Sequence, residues 1–323
     1  MRYFVTGGAG FIGSNYIEHL FRNVKELTSV TIYDKFTYAA NPKNYQEFVA
    51  DPRLTVIKGD ICDFNLLEKS MKGHDFVVHF AAESHVDRSI DDASVFVQTN
   101  VLGTLRVLEA SRKVGIKTVI HVSTDEVYGS LSEGSAAEIF PLEPNSPYAA
   151  SKAASDLLAR SYFVTHDLDV RTTRCCNNYG KYQFPEKVIP VFINKLKSGQ
   201  KLPIYGDGKN VREWIHTSDH ARGIQIVLEK GSPGEIYNIG TGSHLSNHEL
   251  ATTIIHQMRL DESMKSFVQD RKGHDFRYSV DSSKIESIGF KRLIDFEVGL
   301  AQTIDWYIKN PEWWSIRTEG RSE

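Results

Sequence analysis

The segment Thr6-Gly-Gly-Ala-Gly-Phe-Ile-Gly13 follows directly on a β-branched, apolar run at residues 2–6 and opens an amphipathic stretch at 11–22. Gly7, Gly10 and Gly13 form G-x-x-G-x-x-G, a variant of the dinucleotide fingerprint. Glycine is required there because the backbone must turn tightly, approach a pyrophosphate with no Cβ in the way, and pack a helix onto a strand. The N-terminus of that helix then offers N–H groups and a positive dipole end to the phosphates. A glycine-rich turn without a ligand is the plainer reading, but the position at the first strand–helix junction favours the dinucleotide loop. A P-loop needs Lys before Ser or Thr, and Gly13-Ser14 lacks it.

The first half repeats this strand–helix alternation. Strand-like runs at 30–34, 54–58, 76–80, 118–123 and 169–173 alternate with helical patterns at 64–71, 94–114 and 147–166. Repeated βαβ units with right-handed crossovers give an α/β fold with a doubly wound parallel (Rossmann) sheet. After residue 173 the pattern breaks, punctuated by Gly180, Pro185, Pro190, Pro203, Gly206 and Gly208, before a strand-like run at 235–239 and helices at 247–258 and 297–308. The expectation is a smaller α/β substrate-binding domain packed on the sheet. Residues 1–176 and 213–240 are assigned to the dinucleotide-binding domain, and 177–212 and 241–323 to the smaller one.

With 38 Lys and Arg against 41 Asp and Glu, a net charge of −3 and no basic stripe, the chain is not built to hold nucleic acid. No run nears the roughly 18 apolar residues of a membrane span. The first residues carry no leader pattern, so a soluble, cytoplasmic protein without membrane partners is expected. Cys62 and the neighbours Cys175 and Cys176 imply no disulfide framework. His79 and His85 read as core or crevice histidines, and His248-Glu249 lacks a second histidine at 252, so no metal is expected.

Asp34 ends the second strand about 20 residues beyond the glycine loop, where a carboxylate accepts ribose hydroxyls and repels a 2′-phosphate. This favours NAD, with the neighbouring Lys35 leaving NADP open. Asp60 and Ile61, after the third strand, fall beside the expected adenine. Tyr148-Ala-Ala-Ser-Lys152 is Y-x-x-x-K, which on a helix sets phenol and ammonium on one face. The ammonium is expected to lower the phenol's pKa so that Tyr148 takes an alcohol proton. Asp125 and Glu126 follow the fifth strand at the edge that borders the ligand crevice. Strict alternation sends neighbouring side chains to opposite faces, so both reach one substrate only if the chain turns here, which Gly129 allows. A solvated helix cap is the alternative for the pair.

These segments resemble the nucleotide-sugar 4,6-dehydratases, a branch of the extended short-chain dehydrogenase/reductases. The likeness runs the length of the chain through TGGAGFIG, FAAESHVDRS (80–89), TNVLGT (99–104), STDEVYG (123–129), SPYAASKA (146–153), RCCNNYG (174–180), FPEKVIP (184–190), LPIYGDG (202–208), NVREWIH (210–216) and DRKGHDFRY (270–278). Thr124-Asp125-Glu126 separates the dehydratases from epimerases and decarboxylases, which share the glycine loop and Y-x-x-x-K. Lys181 stands where Pro is common and Phe276 where Arg is common, both near the expected nucleotide end of the substrate.

The resemblance implies a bound NAD regenerated each turnover and a nucleoside-diphosphate-glucose substrate, dTDP-glucose first and UDP-glucose as the alternative. Tyr148 would remove the 4-hydroxyl proton with Lys152 beside it, Thr124 orient the C4 oxygen, Glu126 take the C5 proton and Asp125 protonate the leaving 6-hydroxyl. The cofactor-facing set is Gly7, Gly10, Phe11, Ile12, Gly13, Asp34, Lys35, Asp60 and Ile61, continuing through Phe80, Ala81, Ala82, Ser84, Thr99, Tyr148, Lys152 and Asn178. For the sugar nucleotide it implies Ser84, Thr124, Asn177, Lys187, Val188, Pro203, Tyr205, Arg212, Asn247, Arg271 and His274. It also implies a homodimer that pairs the helices at 94–114 and 147–166 into a four-helix bundle. A nucleotide-sugar 4-epimerase and a non-catalytic NAD-binding sensor are the alternatives; neither needs the whole set Tyr148, Lys152, Asp125 and Glu126.

Overall fold

The computed structural model describes residues 1–270, 274–311 and 313. The chain begins with strand β1 (Arg2–Thr6), helix α1 (Phe11–Asn23), β2 (Ser29–Asp34), β3 (Leu54–Lys58), α2 (Phe64–Met71) and β4 (Phe76–His79). Next come α3 (Val86–Asp91), α4 (Ser94–Phe96), a π-turn over Val97–Gly103, α5 (Thr104–Val114), β5 (Thr118–Thr124), α6 (Pro147–His166) and β6 (Val170–Cys175). The second half adds β7 (Asn177–Tyr179), α7 (Val188–Lys197), β8 (Leu202–Tyr205), β9 (Val211–His216), α8 (Thr217–Lys230), β10 (Ile236–Ile239) and β11 (His244–Ser246). It closes with α9 (Asn247–Gln257), β12 (Lys265–Val268), α10 (Ser283–Ser287) and α11 (Phe296–Lys309).

Seven strands form one sheet in the order β10-β6-β5-β4-β1-β2-β3, every neighbour parallel, as the βαβ pattern requires. Alternation along β1 divides the packing. Tyr3 and Val5 face a core shared with Ile17 and Leu20 of α1 and Ile224 of α8, while Phe4 faces Leu67 of α2 and Val107 of α5. A third cluster, built on Tyr179, Trp214, Ile254 and Leu300, serves the smaller part around sheet β11-β9-β7 and the pair β12-β8. The boundary drawn at 213 falls inside β9. All six residues of that strand belong to the small sheet, so the return to the large sheet is better drawn at Thr217.

The helix read over 94–114 runs through, but winds as a π-helix over Val97–Gly103. Apolar periodicity is nearly the same for an α-turn and a single π-turn, so the sequence does not reveal the change. Asn100, within it, is buried. Its side chain accepts the Glu83 amide at 2.9 Å and donates to the Glu83 carbonyl at 3.0 Å and to Ser151 Oγ at 2.9 Å. The π-turn aims that amide inward and ties the loop after β4 to α6. His79 is a satisfied core residue, its ring nitrogens 2.7 Å from Thr6 Oγ1 and 3.0 Å from Thr104 Oγ1. Among the described residues no helix is long and apolar enough to cross a membrane.

Asn100→Leu removes three hydrogen bonds and leaves the Glu83 amide and carbonyl without the partners they have here. It should cost about 2–4 kcal/mol of stability, read by denaturant melts, with hydrogen exchange in the loop at 81–86 rising most.

Candidate active site

The first wall of the cavity is the glycine loop. Gly7 lies in the left-handed region at φ +68°, and a Cβ there would stand 2.6 Å from the Ala81 amide nitrogen, so only glycine fits between β1 and β4. Helix α1 starts from an extended Gly10 with no side chain capping its first N–H groups, the arrangement that suits an anion. Asp34, buried at the end of β2, accepts the amides of Ala9 at 3.0 Å and Phe36 at 2.8 Å, so the carboxylate also holds the loop in shape. Burial raises its pKa against those bonds. Lys35 is engaged by Asp60 at 2.8 Å.

These residues enclose about 240 Å³. Every residue of the expected cofactor-facing set lines this space except Asn178. Asn178 instead donates to the Cys176 carbonyl at 3.0 Å, meets His220 Nδ1 at 2.8 Å, and accepts through its carbonyl from Gln183 at 3.0 Å. Its part is to place Gln183, which does line the cavity. Sequence reading missed Gln183, Phe184 and Glu186, which arrive on a loop with no periodic signal.

The acidic pair sits where the chain turns. β5 ends at Thr124, and Asp125–Tyr128 form one 3₁₀ turn whose N-cap is Thr124, its Oγ1 accepting the Glu126 amide at 3.3 Å. Gly129, at φ +77°, closes the turn where a Cβ would strike the Glu143 carbonyl. Strand alternation therefore stops at Thr124, and both carboxyls act on the Tyr148 phenol. Asp125 is 3% exposed. Burial, then the charge of Glu126, pushes its pKa well up, whereas Glu126 is only half-buried.

Tyr148 departs from the expectation. Burial, and after it the charges of Glu126 and Asp125, raises the phenol's pKa instead of lowering it. Lys152 does not offset this, because it is itself desolvated. Its pKa is lowered by burial to about 8, and Nζ donates to the Val122 carbonyl at 2.8 Å. One turn along α6, Asp156 supports that ammonium. Asp156 in turn is held by His121 Nε2 at 3.2 Å and Arg174 Nε at 2.8 Å, a buried group that the sequence did not single out.

The expected sugar-nucleotide residues divide. Ser84 and Lys187 line the cavity, joined by Lys187 Nζ donating to the Ser84 carbonyl at 2.8 Å, and Val188 opens α7 beside them. A second group gathers on the smaller part. Arg212 donates to the Asp275 carbonyl at 2.9 Å and lies over the Tyr278 ring, and Asn247 donates its amide to the Asn210 carbonyl. The Glu126 charge is felt at Tyr278, so this group adjoins the acidic pair. Tyr205 and His274 meet edge to face at 6.4 Å beyond Pro203 on β8. Asn177 Oδ1 is buried without a hydrogen-bond partner among the described residues. Arg271 lies outside the described residues. Lys181 turns away from this region to pair with Glu18 of α1 at 2.6 Å.

The family profile described as GDP-mannose 4,6 dehydratase matches residues 4–303. The dTDP-glucose 4,6-dehydratase of an Actinoplanes strain is 50% identical over 98% of this chain and 100% of its own. That of Streptomyces griseus is 52% identical over 96% and 95%. The solved structure of DesIV, dTDP-glucose 4,6-dehydratase from Streptomyces venezuelae with NAD bound, superposes with a TM-score of 0.96 at 54% identity, covering 98% of this chain and 100% of that one. A UDP-glucose 4-epimerase from Thermotoga maritima superposes at 0.89 with 27% identity over 96% and 100%.

Lys152→Met should stabilise the fold while removing a site residue. The buried ammonium binds its proton less tightly folded, at about 8, than unfolded, at 10.5. The wild type therefore carries a penalty that is full below pH 8 and vanishes as pH rises to 10.5. The variant should gain on the order of 1 kcal/mol near pH 7, and thermal melts should show that gain shrinking across pH 8–10.5.

Proposed function

This chain belongs to the GDP-mannose 4,6 dehydratase family, and from that membership we propose that it is a dTDP-glucose 4,6-dehydratase, an NAD-dependent hydro-lyase. The observation that carries the reading is the turn at Thr124-Asp125-Glu126, which sets an enclosed carboxyl, its pKa pushed up by burial, and a half-buried one against the same phenol. Removing water across C5 and C6 needs one group that takes a proton and one that gives it, with pKa values driven apart. A 4-epimerase has no use for that division.

The cavity suits NAD, since a cradle closed to any Cβ at Gly7 and a carboxylate at Asp34 match a pyrophosphate and a ribose. When bound, NAD supplies the hydride acceptor at C4, the donor at C6 and a positive charge in the cavity that Tyr148 lines. Gly7, Gly10 and Gly13 with the amides of Phe11 and Ile12 hold the phosphates, Asp34 a ribose, Asp60 and Ile61 the adenine end, and Lys152 the nicotinamide ribose. Tyr148 takes the proton of the 4-hydroxyl as C4 is oxidised. The resulting ketone acidifies C5, Glu126 takes the C5 proton, and Asp125 gives its proton to the departing 6-hydroxyl. Glu126 then returns its proton to C5. Arg212 and Lys187 supply positive charge for the diphosphate, and Tyr205 packs on the base.

We assign the seven-stranded sheet with its helices to cofactor binding and the part around the small sheets to the sugar nucleotide. The cytoplasm is the compartment we propose. A homodimer is supported by the exposed apolar residues Leu157 and Val164, two turns apart on α6 at 60% and 61%, and Val97 at 54% on the π-turn that packs against α6. Pairing α6 with its counterpart in a second copy would cover Leu157 and Val164.

Purified protein given dTDP-glucose should release a product lighter by one water, read by mass spectrometry; unchanged mass with inverted C4 marks an epimerase, and no change a sensor. Glu126→Gln should still oxidise C4 and accumulate reduced cofactor by absorbance, and Asp125→Asn should slow water loss more than oxidation, each by about 10²–10⁴-fold. Sedimentation should show a dimer at micromolar concentration, with Leu157→Glu shifting it to monomer.

A further inference from the structure

Two loops that line the cofactor cavity leave the large sheet on either side of the glycine loop. The strand order β4-β1-β2 puts the segment at 35–40, after β2, on one flank of β1 and the segment at 81–88, after β4, on the other. Thr37 and Ala40 of the first and Ala82 and Ser84 of the second face the cavity. A third segment, 183–187, arrives from between β7 and α7 and adds Phe184 and Glu186 to the lining.

The three segments meet at one carboxylate. Glu186 Oε1 accepts the Tyr38 hydroxyl at 3.2 Å, and Oε2 accepts Arg88 Nη2 at 3.1 Å, with His85 Nε2 3.8 Å away. The Arg88 guanidinium lies 3.9 Å from the centre of the Tyr38 ring, and Phe184 meets the same ring edge to face at 5.2 Å. Arg88 is placed for this by α3, whose cap, His85, accepts the Arg88 amide at 3.3 Å. One residue beyond Glu186, Lys187 Nζ donates to the Ser84 carbonyl at 2.8 Å. Tyr38 belongs to the β2 flank and Arg88 to the β4 flank, so a contact between them has to span the end of β1, where the glycine loop sits.

We propose that Tyr38, Arg88 and Glu186 form a clasp across the cofactor cavity and that Glu186 sets how long NAD stays there. This rests on the NAD reading of the cavity and not on the dehydration. The glycine loop and Asp34 decide what binds. The clasp decides how fast it leaves, because a ligand lying along the ends of β2, β1 and β4 goes out only when the two flanks part. Slow exit serves the reaction proposed above: for part of each turnover C4 is oxidised and C6 not yet reduced, and a cofactor lost then strands the 4-ketone. The Glu186 side chain is 9% exposed, so its charge-assisted bond to Arg88 is shielded on one side. Its contacts are side-chain bonds between loops, which can open without disturbing the sheet.

The test needs no substrate. Holoenzyme is mixed with an excess of isotope-labelled NAD, samples pass through gel filtration over time, and label on the protein gives the exit rate. Glu186→Ala should speed exit by about 10-fold or more. Glu186→Gln keeps the shape and an acceptor for Tyr38 but no charge for Arg88, and should speed it by less. Salt separates the clasp from a general loosening of the fold. Arg88 is 42% exposed, so added salt should screen its pair with Glu186 and quicken exit from the wild type more than from the glutamine variant. Exit as slow from both variants as from the wild type, or one salt response shared by wild type and glutamine variant, overturns the clasp. Should neither Glu186 variant fold, Tyr38→Phe decides. It keeps the ring beneath Arg88 and loses the hydroxyl; faster exit supports the clasp, and unchanged exit overturns it. A wild type that holds NAD but does not dehydrate dTDP-glucose brings down the proposed function and leaves the clasp standing, and one that binds no NAD overturns the clasp.

Discussion

Parallel pairing across β6-β5-β4-β1-β2 decides where the chemistry lies. Because every strand of the large sheet runs the same way, its carboxyl ends gather on one edge. Residues distant in sequence meet there: Gly7 after β1, Asp34 closing β2, Ala81 after β4, Thr124 closing β5 in register with Cys175. The glycine loop depends on the same pairing, since its closest approach is to the Ala81 backbone delivered by β4. Were β4 reversed, Gly7 would lose the Ala81 backbone it packs against, and were β5 reversed, Asp125 would lie at the other end of the sheet.

On that edge the protein keeps groups in states that water would not favour. Burial pushes Asp125 toward its protonated form, and Lys152 holds its charge at the cost of desolvation. Each is tolerated because the surroundings are over-determined. Lys152 has the Val122 carbonyl, and Asp156 behind it is fixed by His121 and Arg174. Arg174 is itself tied to the Tyr128 hydroxyl at 2.8 Å, within the turn that carries the acidic pair. The charge beneath Lys152 and the geometry of Asp125 are thus set by one connected group of buried side chains, in which a half-satisfied member would be costly.

What could be read from the sequence followed from locality. The strand–helix alternation, the glycine loop and Y-x-x-x-K are each set within one or two turns of chain, and the structure puts them on the expected elements. The acidic pair was half legible: alternation demanded a turn, and Gly129 hinted at one, but the capping by Thr124 was not visible. Asn178 and Lys181 are different. Both lie in a motif-rich stretch, yet their bonds run to His220, Gln183 and Glu18, partners chosen by tertiary packing. The role of Asn100 was hidden for a related reason, since its partner is the Glu83 backbone, on a different segment. The Tyr148 pKa went astray because i, i+4 spacing counts one ammonium and not the two carboxyls that the fold adds.

The same juxtaposition resolves why a threonine precedes the acids. A strand must end before two neighbouring carboxyls can address one substrate, and ending it leaves amides that need a cap. Serine, threonine, aspartate or asparagine meets that need. An aspartate there would add a negative charge beside the acidic pair and push the Tyr148 phenol further from ionising. An asparagine amide caps without a hydroxyl proton to exchange. A hydroxyl residue caps the turn neutrally and keeps one hydrogen to give and two lone pairs to receive. The β-branched form also suits the final position of a strand. Structural and chemical requirements therefore select the same side chain, whose cap makes the turn and whose hydroxyl meets the Asp125 carboxyl.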